Sequence, residues 1–564
     1  MADYTVGKEY AIKYVDHILD NIHGHIGLTT VEKELEKAPI FKRLLNISQL
    51  GLVNRVFPCA LHNRYTHSIG VMYVADQMSQ CIGLNDSERQ LLRLSGLLHD
   101  IGHYPLSHNV EQAYKNYWET SQAPKAVDWE SNCLNKVPAI LQENYNVEDD
   151  YKLQLSGSKG LHHEVVGAKI IKSNPLIREI IENYFITYKG ESESLINPFF
   201  TDPAKKDYNE DDIASITESV LDDIAGIIVG NIQKESKYFK KYSLFVQLIH
   251  SEMDADNIDY LLRDATFSGT TYGILDMGVL INSLRSCEVI SPDGKSYYIV
   301  GIAPKGIGCV EQFFMNRYLA YTQIVYNKFV SILEAMMVHV IEFFLSDPDS
   351  GYKYRDILNI AQMKNGNNSY LYFTDNYILD FINSFDCDKS SCSDLTKEII
   401  KQLRTYLAFP VDDSYGSVFT GSNLKRIQDE YKASEYCKDI NVINQIIENC
   451  LNNDQELDIE TKKIAFSYRF ESKVITSQIP HEQFENIQKK YNKAGTDEEL
   501  AKGFFNYGYD RVANGVPIIE STDVIHYSVD QKSLPDLIVD SSRSALKDIY
   551  KLSYCVLRKY RLGA

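Results

Sequence analysis

An apolar helical pattern over residues 86–98 runs without a break into His99-Asp100-Ile101-Gly102-His103-Tyr104-Pro105-Leu106-Ser107-His108, and this junction constrains the chain more than any other stretch. Apolar residues that recur on one face of a 3.6-residue helix must dock on a core. Imidazoles and a carboxylate are costly to bury unless they are paired. Gly102 and Pro105 stop the helix. The junction therefore predicts a core helix that delivers hard-to-bury side chains to its end. His103 follows His99 by four residues and shares its face if the helical turn persists.

The rest of the pattern is mostly helical. Periodicity predicts helices over 31–47, 68–81 and 87–98, the last capped by Ser87 with Gln90. Residues 111–160, with both Trp and the acidic Glu148-Asp149-Asp150 group, read as an insertion ending in a loop. Helices are expected at 163–171, 175–184 and 213–230, with a charged loop over 189–212, then a helical block over 245–263. A strand at 296–301 precedes a long helix from Val310 to about Leu345. Beyond Asp347, helices at 377–385, 394–408 and 441–449 mix with strands at 468–479 and 516–527. The expected architecture is a mainly α protein: a helical core over 1–345 with short strands, then an α+β region over 346–564.

Composition narrows the function classes. With 44% hydrophobic and 24% charged residues, 30 Gly and 15 Pro in 564, the chain falls in the globular range. The formal charge, 58 − 77 = −19, with no run of four basic residues, argues against non-specific nucleic-acid binding. Ten scattered Cys read as reduced thiols, and the first twenty residues lack a secretory pattern, so a cytoplasmic protein is expected. The apolar stretch 329–345 carries Glu334, His339 and Glu342 and reads as too short and too charged to span a bilayer.

His67, His99, Asp100, His103, His108, His162, His163 and Asp256 form the densest set of reactive side chains. Imidazole and carboxylate ligands suit a divalent first-row metal, and coordination positions left open are what hydrolysis needs. Any one of these histidines alone serves equally well as a local cap. At about 100° per residue, Asp256, Tyr260, Arg263 and Asp264 fall on one side of a helix and Ile258, Leu261 and Leu262 on the other. That polar stripe suits a metal, phosphates and a sugar hydroxyl; a solvated acidic face has the same pattern.

Four stretches together resemble the HD-domain deoxynucleoside triphosphate triphosphohydrolases, a dGTPase-like family that includes the sterile-alpha-motif/HD-domain enzyme of animals and bacterial relatives. They are Asp20-Asn-Ile-His-Gly-His-Ile26; Ile47-Ser-Gln-Leu-Gly51 through Val56-Phe-Pro58 to His62-Asn-Arg-Tyr-Thr-His-Ser-Ile-Gly70; Gly96 to His108; and Asp254-Ala-Asp-Asn-Ile-Asp-Tyr-Leu-Leu-Arg-Asp264. A weaker match lies at Arg317-Tyr-Leu-Ala-Tyr321 and Gln323. The resemblance implies an HD-domain helical core in which His67, His99, Asp100 and Asp256 bind a divalent metal ion (Mn, Mg, Fe or Zn). It implies that Arg64 holds the α-phosphate, that His108 protonates the leaving 5′-oxygen with Glu111 orienting it, and that His103 and His163 contact the phosphates. Gln49 and Asp264 match residues that bind the 3′-hydroxyl, Leu50 the side chain that excludes a 2′-hydroxyl, and Tyr260 and Tyr321 the aromatics along the ribose. The implied reaction is attack of activated water on the α-phosphorus of a dNTP, releasing a deoxynucleoside and tripolyphosphate, in a homo-oligomer (dimer, tetramer or hexamer) with a nucleotide effector. Such a reaction suits dNTP balance or the starving of infecting phage.

The chain departs from the animal pattern at several positions. Asn257 replaces a phosphate-binding Lys, Lys37 and Leu45 replace a guanine-reading Asp and Arg, Leu19 replaces an Asn of the neighbouring nucleotide site, and Asn21 replaces a turn Pro. The guanine-nucleotide activation scheme is therefore not carried over. Two other readings keep the pocket: hydrolysis of a signalling nucleotide, and a nucleotide sensor without turnover.

Overall fold

The computed structural model describes residues 4–121, 161–189, 194–205, 207–230, 239–290, 296–354, 368–388 and 392–408; beyond these it describes residue 519 and the strands at 416–420, 464–474, 525–526 and 551–561. It is mainly α with small sheets. In chain order the N-terminal elements are β1 (Tyr4–Val6), β2 (Asp16–Asp20), β3 (Gly24–Leu28), α1 (Thr30–Lys37), α2 (Pro39–Lys42), α3 (Arg64–Cys81), α4 (Asp86–Leu98) and α5 (His108–Ser121). The helix expected over 31–47 is broken because Pro39 has no N–H to continue it and Ala38 is extended. A capping box of Asn85 with Glu88 starts α4, its cap two residues before the expected Ser87 site. Asn is as good a cap as Ser, and its partner Glu88 returns a carboxylate to the Asn85 N–H.

The hairpin β2–β3 was not anticipated. Its register runs from Asp16↔Leu28 to Asp20↔Gly24, and Asp20 accepts the N–H groups of Ile22 and His23 across the turn. Helices α6 (His163–Ser173) and α7 (Pro175–Ile181) follow, then β4 (Thr187–Lys189), β5 (Ser194–Ile196), β6 (Asp207–Tyr208) and α8 (Glu210–Val229). The expected loop at 189–212 thus contributes strands, which join β1 in the order β4-β5-β1-β6. The block expected at 245–263 is two helices, α9 (Phe239–Ile249) and α10 (Ala255–Ser268), because Asp254 caps a new start. Next come α11 (Met277–Asn282), β7 (Leu284–Ile290), β8 (Ser296–Ile302), α12 (Ile307–Ala320), α13 (Lys328–Ser346), α14 (Asp375–Ser384) and α15 (Asp394–Ala408). A π-helical turn at Tyr321–Val325 separates α12 from α13 where one long helix was expected.

At the centre α3 packs on α4 and α10, and α5 packs on α13. Leu91, Leu92, Leu94, Leu97 and Leu98 of α4 are fully buried, so this helix is pinned in the core and its C-terminus cannot swing. Glu32 of α1 meets Arg93 of α4 at 2.6 Å, a pairing that buried charges require. Helix α13 is long and apolar enough to cross a membrane by length and composition, contrary to the sequence expectation; most of it is buried against α5 and α15, so its apolar face is used by the core. Of the expected insertion, residues 111–121 belong to α5 and 122–160 lie outside the described residues.

Near the C-terminus, β10 (Ile464–Val474) pairs antiparallel with β12 (Lys551–Arg561), which pairs with β9 (Gly416–Thr420). The strand expected at 468–479 is therefore present but begins four residues earlier. Of the strand expected at 516–527, β11 (Ile525–His526) is described, paired with β7. The helix expected at 441–449 lies outside the described residues.

Candidate active site

The end of α4, the start of α3 and the first turns of α10 bring His67, His99, Asp100 and Asp256 together. His67 Nε2 lies 2.8 Å from Asp256 and 3.9 Å from Asp100; His99 Nε2 lies 3.4 Å from Asp100 and 3.7 Å from Asp256. His99 Nδ1 donates to the Gly96 carbonyl at 2.8 Å, which leaves Nε2 with its lone pair. That atom is buried and, among the described residues, has no hydrogen-bond partner. An orphaned imidazole nitrogen flanked by two carboxylates is a donor set that fits a divalent cation. Ligand atoms of His67, His99 and Asp100 lie within 4.8 Å of one another, a spacing that could hold a metal ion.

His67 is positioned by a residue that sequence reasoning missed. Asp259 accepts from His67 Nδ1 at 2.7 Å and from His23 Nε2 at 2.7 Å, and Arg263 binds both of its oxygens while reaching Asp20 at 2.8 Å. A carboxylate behind a ligand imidazole fixes its tautomer and orientation. Arg263, expected to face substrate, is instead consumed by this buried network. Burial alone would lower the His67 imidazole, but the hydrogen bonds to Asp256 and Asp259 outweigh it and push it up to about 10. Gly70 is what lets α3 approach α10 here: a Cβ would lie 1.9 Å from Asp259 Oδ1 and 2.5 Å from the Arg263 guanidinium. The signal in the sequence was the spacing of Asp259, three residues after Asp256 and four before Arg263.

His103 does not join His99, because the helix ends at Leu98 and a tight turn redirects the chain. It sits with His108 and His163, its ring centroid 5.1 Å and 4.3 Å from theirs. Glu111 accepts from His108 Nδ1 at 3.1 Å and from His163 Nδ1 at 3.0 Å, and His163 Nε2 reaches to 4.0 Å from Asp100. Burial raises the Glu111 carboxyl, but the charges of His163 and His162 and these hydrogen bonds hold it well below the usual range, so it is ionised. His103 is held well below the usual histidine range by burial and by the charges of Arg64, His163 and His108; its Nε2 is buried and unpartnered among the described residues.

Arg64 donates to Asp100 at 2.8 Å, to Ser107 Oγ at 3.1 Å and to the Gln49 carbonyl at 3.2 Å. It thereby links the carboxylate cluster to a second group of the expected residues. Asp264 accepts from His62 Nε2 at 2.7 Å, and His62 stacks on Phe267; His62 is another residue the sequence reading did not single out. The Gln49 side-chain oxygen and the Tyr260 hydroxyl are both buried without partners among the described residues. Burial, together with Tyr321, Asp256 and Asp264 and against Arg317, keeps the Tyr260 phenol neutral. Leu50 packs against a small cluster that includes Ile324, beside the π-turn carrying Tyr321. Of the expected site residues, Arg64, His67, His99, Asp100, His103, His108, Glu111, His163 and Asp256 are thus linked by direct contacts, Gln49 meets Arg64 through its carbonyl, and Tyr260 lies within electrostatic reach of Asp256, Asp264 and Tyr321.

An HD-domain family model matches residues 64–128. An uncharacterised protein of Methanocaldococcus jannaschii is 25% identical over 411 residues, 73% of this chain and 64% of that protein. The Homo sapiens deoxynucleoside triphosphate triphosphohydrolase SAMHD1 is 24% identical over 399 residues, 68% of this chain and 53% of that protein. The chain spans about half to two thirds of the length of the curated relatives it matches. The crystal structure of a phosphohydrolase from Bacteroides thetaiotaomicron shares the fold, with a TM-score of 0.50 and 15% identity over 97% of this chain and 100% of that one. With its helical core and its His-Asp pair at the end of α4, the chain carries an HD-domain match over residues 64–128 and is similar to HD-domain deoxynucleoside triphosphate triphosphohydrolases.

Proposed function

We propose that this protein is a metal-dependent dNTP triphosphohydrolase, cleaving dGTP or other dNTPs at the α-phosphorus to a deoxynucleoside and inorganic tripolyphosphate. The observation that carries this reading is the buried His99 Nε2, between Asp100 and Asp256 and without a hydrogen-bond partner among the described residues, together with the buried Gln49 side-chain oxygen and Tyr260 hydroxyl, which also lack partners there. Unsatisfied buried polar atoms cost stability unless a ligand completes them. His67, His99, Asp100 and Asp256 would hold the cation, which when bound polarises phosphoryl oxygens and lowers the pKa of water.

The remaining steps belong to the chain's own residues. Arg64, aimed by Asp100 and Ser107, offers its remaining N–H groups to a phosphate. His108 has its Nδ1 proton held by Glu111, while 65% of its side-chain surface is open. With Nδ1–H held by Glu111, Nε2 is the nitrogen that would carry a proton to the leaving 5′-oxygen; burial, with the His163 and Arg64 charges and against Glu111, lowers this imidazole to about 4, so that proton is to be taken up with the substrate. His103 and His163 face the phosphates, Gln49 and Asp264 the 3′-hydroxyl, Leu50 the 2′ position, and Tyr260 and Tyr321 the ribose. Assembly as a homo-oligomer with a nucleotide effector and a regulatory role for 346–564 belong to the same proposal; light scattering with and without added nucleotide tests the assembly.

The test is product analysis with Mn²⁺ or Mg²⁺ against the four dNTPs and four NTPs, singly and in mixtures. Deoxynucleoside plus tripolyphosphate is expected. Turnover of a different phosphoester would replace the substrate class, and ligand binding without any turnover would favour a sensor. In Arg64→Lys, one ammonium replaces a fork that makes three bonds, so kcat/KM is expected to fall about 10- to 100-fold; unchanged kinetics would remove Arg64 from the phosphate site.

A further inference from the structure

The turn that delivers His108 is held in a costly conformation. Leu106 and Ser107 have φ of +51° and +54°, the left-handed region that non-glycine residues avoid. Such residues persist only where their surroundings over-determine them. The surroundings come from a distant part of the chain. The Asp375 carboxylate, at the start of α14, accepts the Leu106 N–H at 2.6 Å with one oxygen and the Ser48 N–H at 2.8 Å with the other. Ser107 Oγ in turn donates to the Ser48 carbonyl and accepts from Arg64 Nε. The same distant segment supplies a Tyr370 hydroxyl to the Gly102 carbonyl at 3.1 Å, and Arg43 bridges the His103 and Phe373 carbonyls. Asp375 is itself buried.

We propose that Asp375 is a positioning residue: by clamping the Ser48 and Leu106 N–H groups it holds the left-handed Leu106–Ser107 turn from which His108 and Arg64 are aimed. This inference rests on the reading that His108 and Arg64 serve turnover. It also ties a segment beyond α13 to the reacting end of the site. Both partners are donors, so two acceptor oxygens are needed; asparagine offers one and presents an N–H group to the other donor.

The test compares Asp375→Asn, Asp375→Ala and Ser107→Ala in the full chain, at a temperature where circular dichroism shows each folded. The turn is expected to shift by a fraction of an ångström. The kcat should then fall about tenfold in the Asn variant and about 100-fold in the Ala variant, with KM and metal content per chain within about twofold of wild type. Ser107→Ala, which loosens the same turn without touching α14, keeps the test open if the Asp375 variants do not fold; it should reproduce the kcat-selective loss. Lowered melting temperatures with unchanged kcat would reduce Asp375 to a structural role. A joint loss of metal and KM would mean general collapse of the site and would overturn the proposal equally. If wild type turns over no phosphoester, the functional reading fails; if wild type is active and the variants match it, only the clamp fails.

Discussion

Replacing Asp256 with Asn is expected to reduce metal-dependent turnover by about two to three orders of magnitude while leaving the protein folded. Asp256 is the candidate ligand carried by α10, so its loss removes the charge that lies 2.8 Å from His67 and 3.7 Å from His99, while Asp259 still ties α10 to His67 from behind. An amide keeps the shape and can still accept from His67, which is why folding should survive. The measurement is kcat together with metal per chain by elemental analysis, with the melting temperature as a control. Full activity in the variant would place the metal elsewhere. Absence of turnover in both proteins, with altered nucleotide binding in the variant alone, would mark a sensor.

The second large effect is expected at Gly102. A Cβ there would lie 2.1 Å from the Gly167 nitrogen and 2.3 Å from the His163 carbonyl, both backbone atoms that no side-chain rotation can move away. Gly102→Ala must therefore push α6 from the end of α4. We expect a destabilisation of about 1–3 kcal/mol or somewhat more from the overpacking. His163 sits on α6 and makes its 3.0 Å bond to Glu111 only at the native spacing. A displacement of about 1 Å should cost about 100-fold in turnover even in molecules that remain folded. Thermal melts and kcat measured well below the melting temperature separate the two effects. A variant with wild-type stability and activity would show that α6 approaches α4 less closely than the structure places it.

How much of this was legible in the sequence follows a physical divide. Helix α4 was readable because burial on one face and capping at its start are local properties; only the cap was misassigned, since Asn85 with Glu88 outcompetes Ser87 by completing a reciprocal pair. The hairpin β2–β3 was not readable, because its strands are short and its turn is held by the Asp20 side chain and Gly24 at φ +73°. The division of the 310–345 stretch by a π-turn was equally invisible: its apolar periodicity continues across the break.

The site shows the same divide. The residue types, their order and the resemblance they carry determined which side chains to examine: His67, His99, Asp100 and Asp256 as candidate ligands, with Arg64, His103, His108, Glu111 and His163 beside them. What holds them in place was decided only in three dimensions. Asp259 fixes His67 from behind, His62 engages Asp264, and Asp375 grips the turn before His108 from 269 residues away along the chain. Side-chain identity is local information, but the orientation of an imidazole or a strained turn is set by whichever groups the packed core brings against it. Those partners have no fixed spacing that a sequence pattern could reveal.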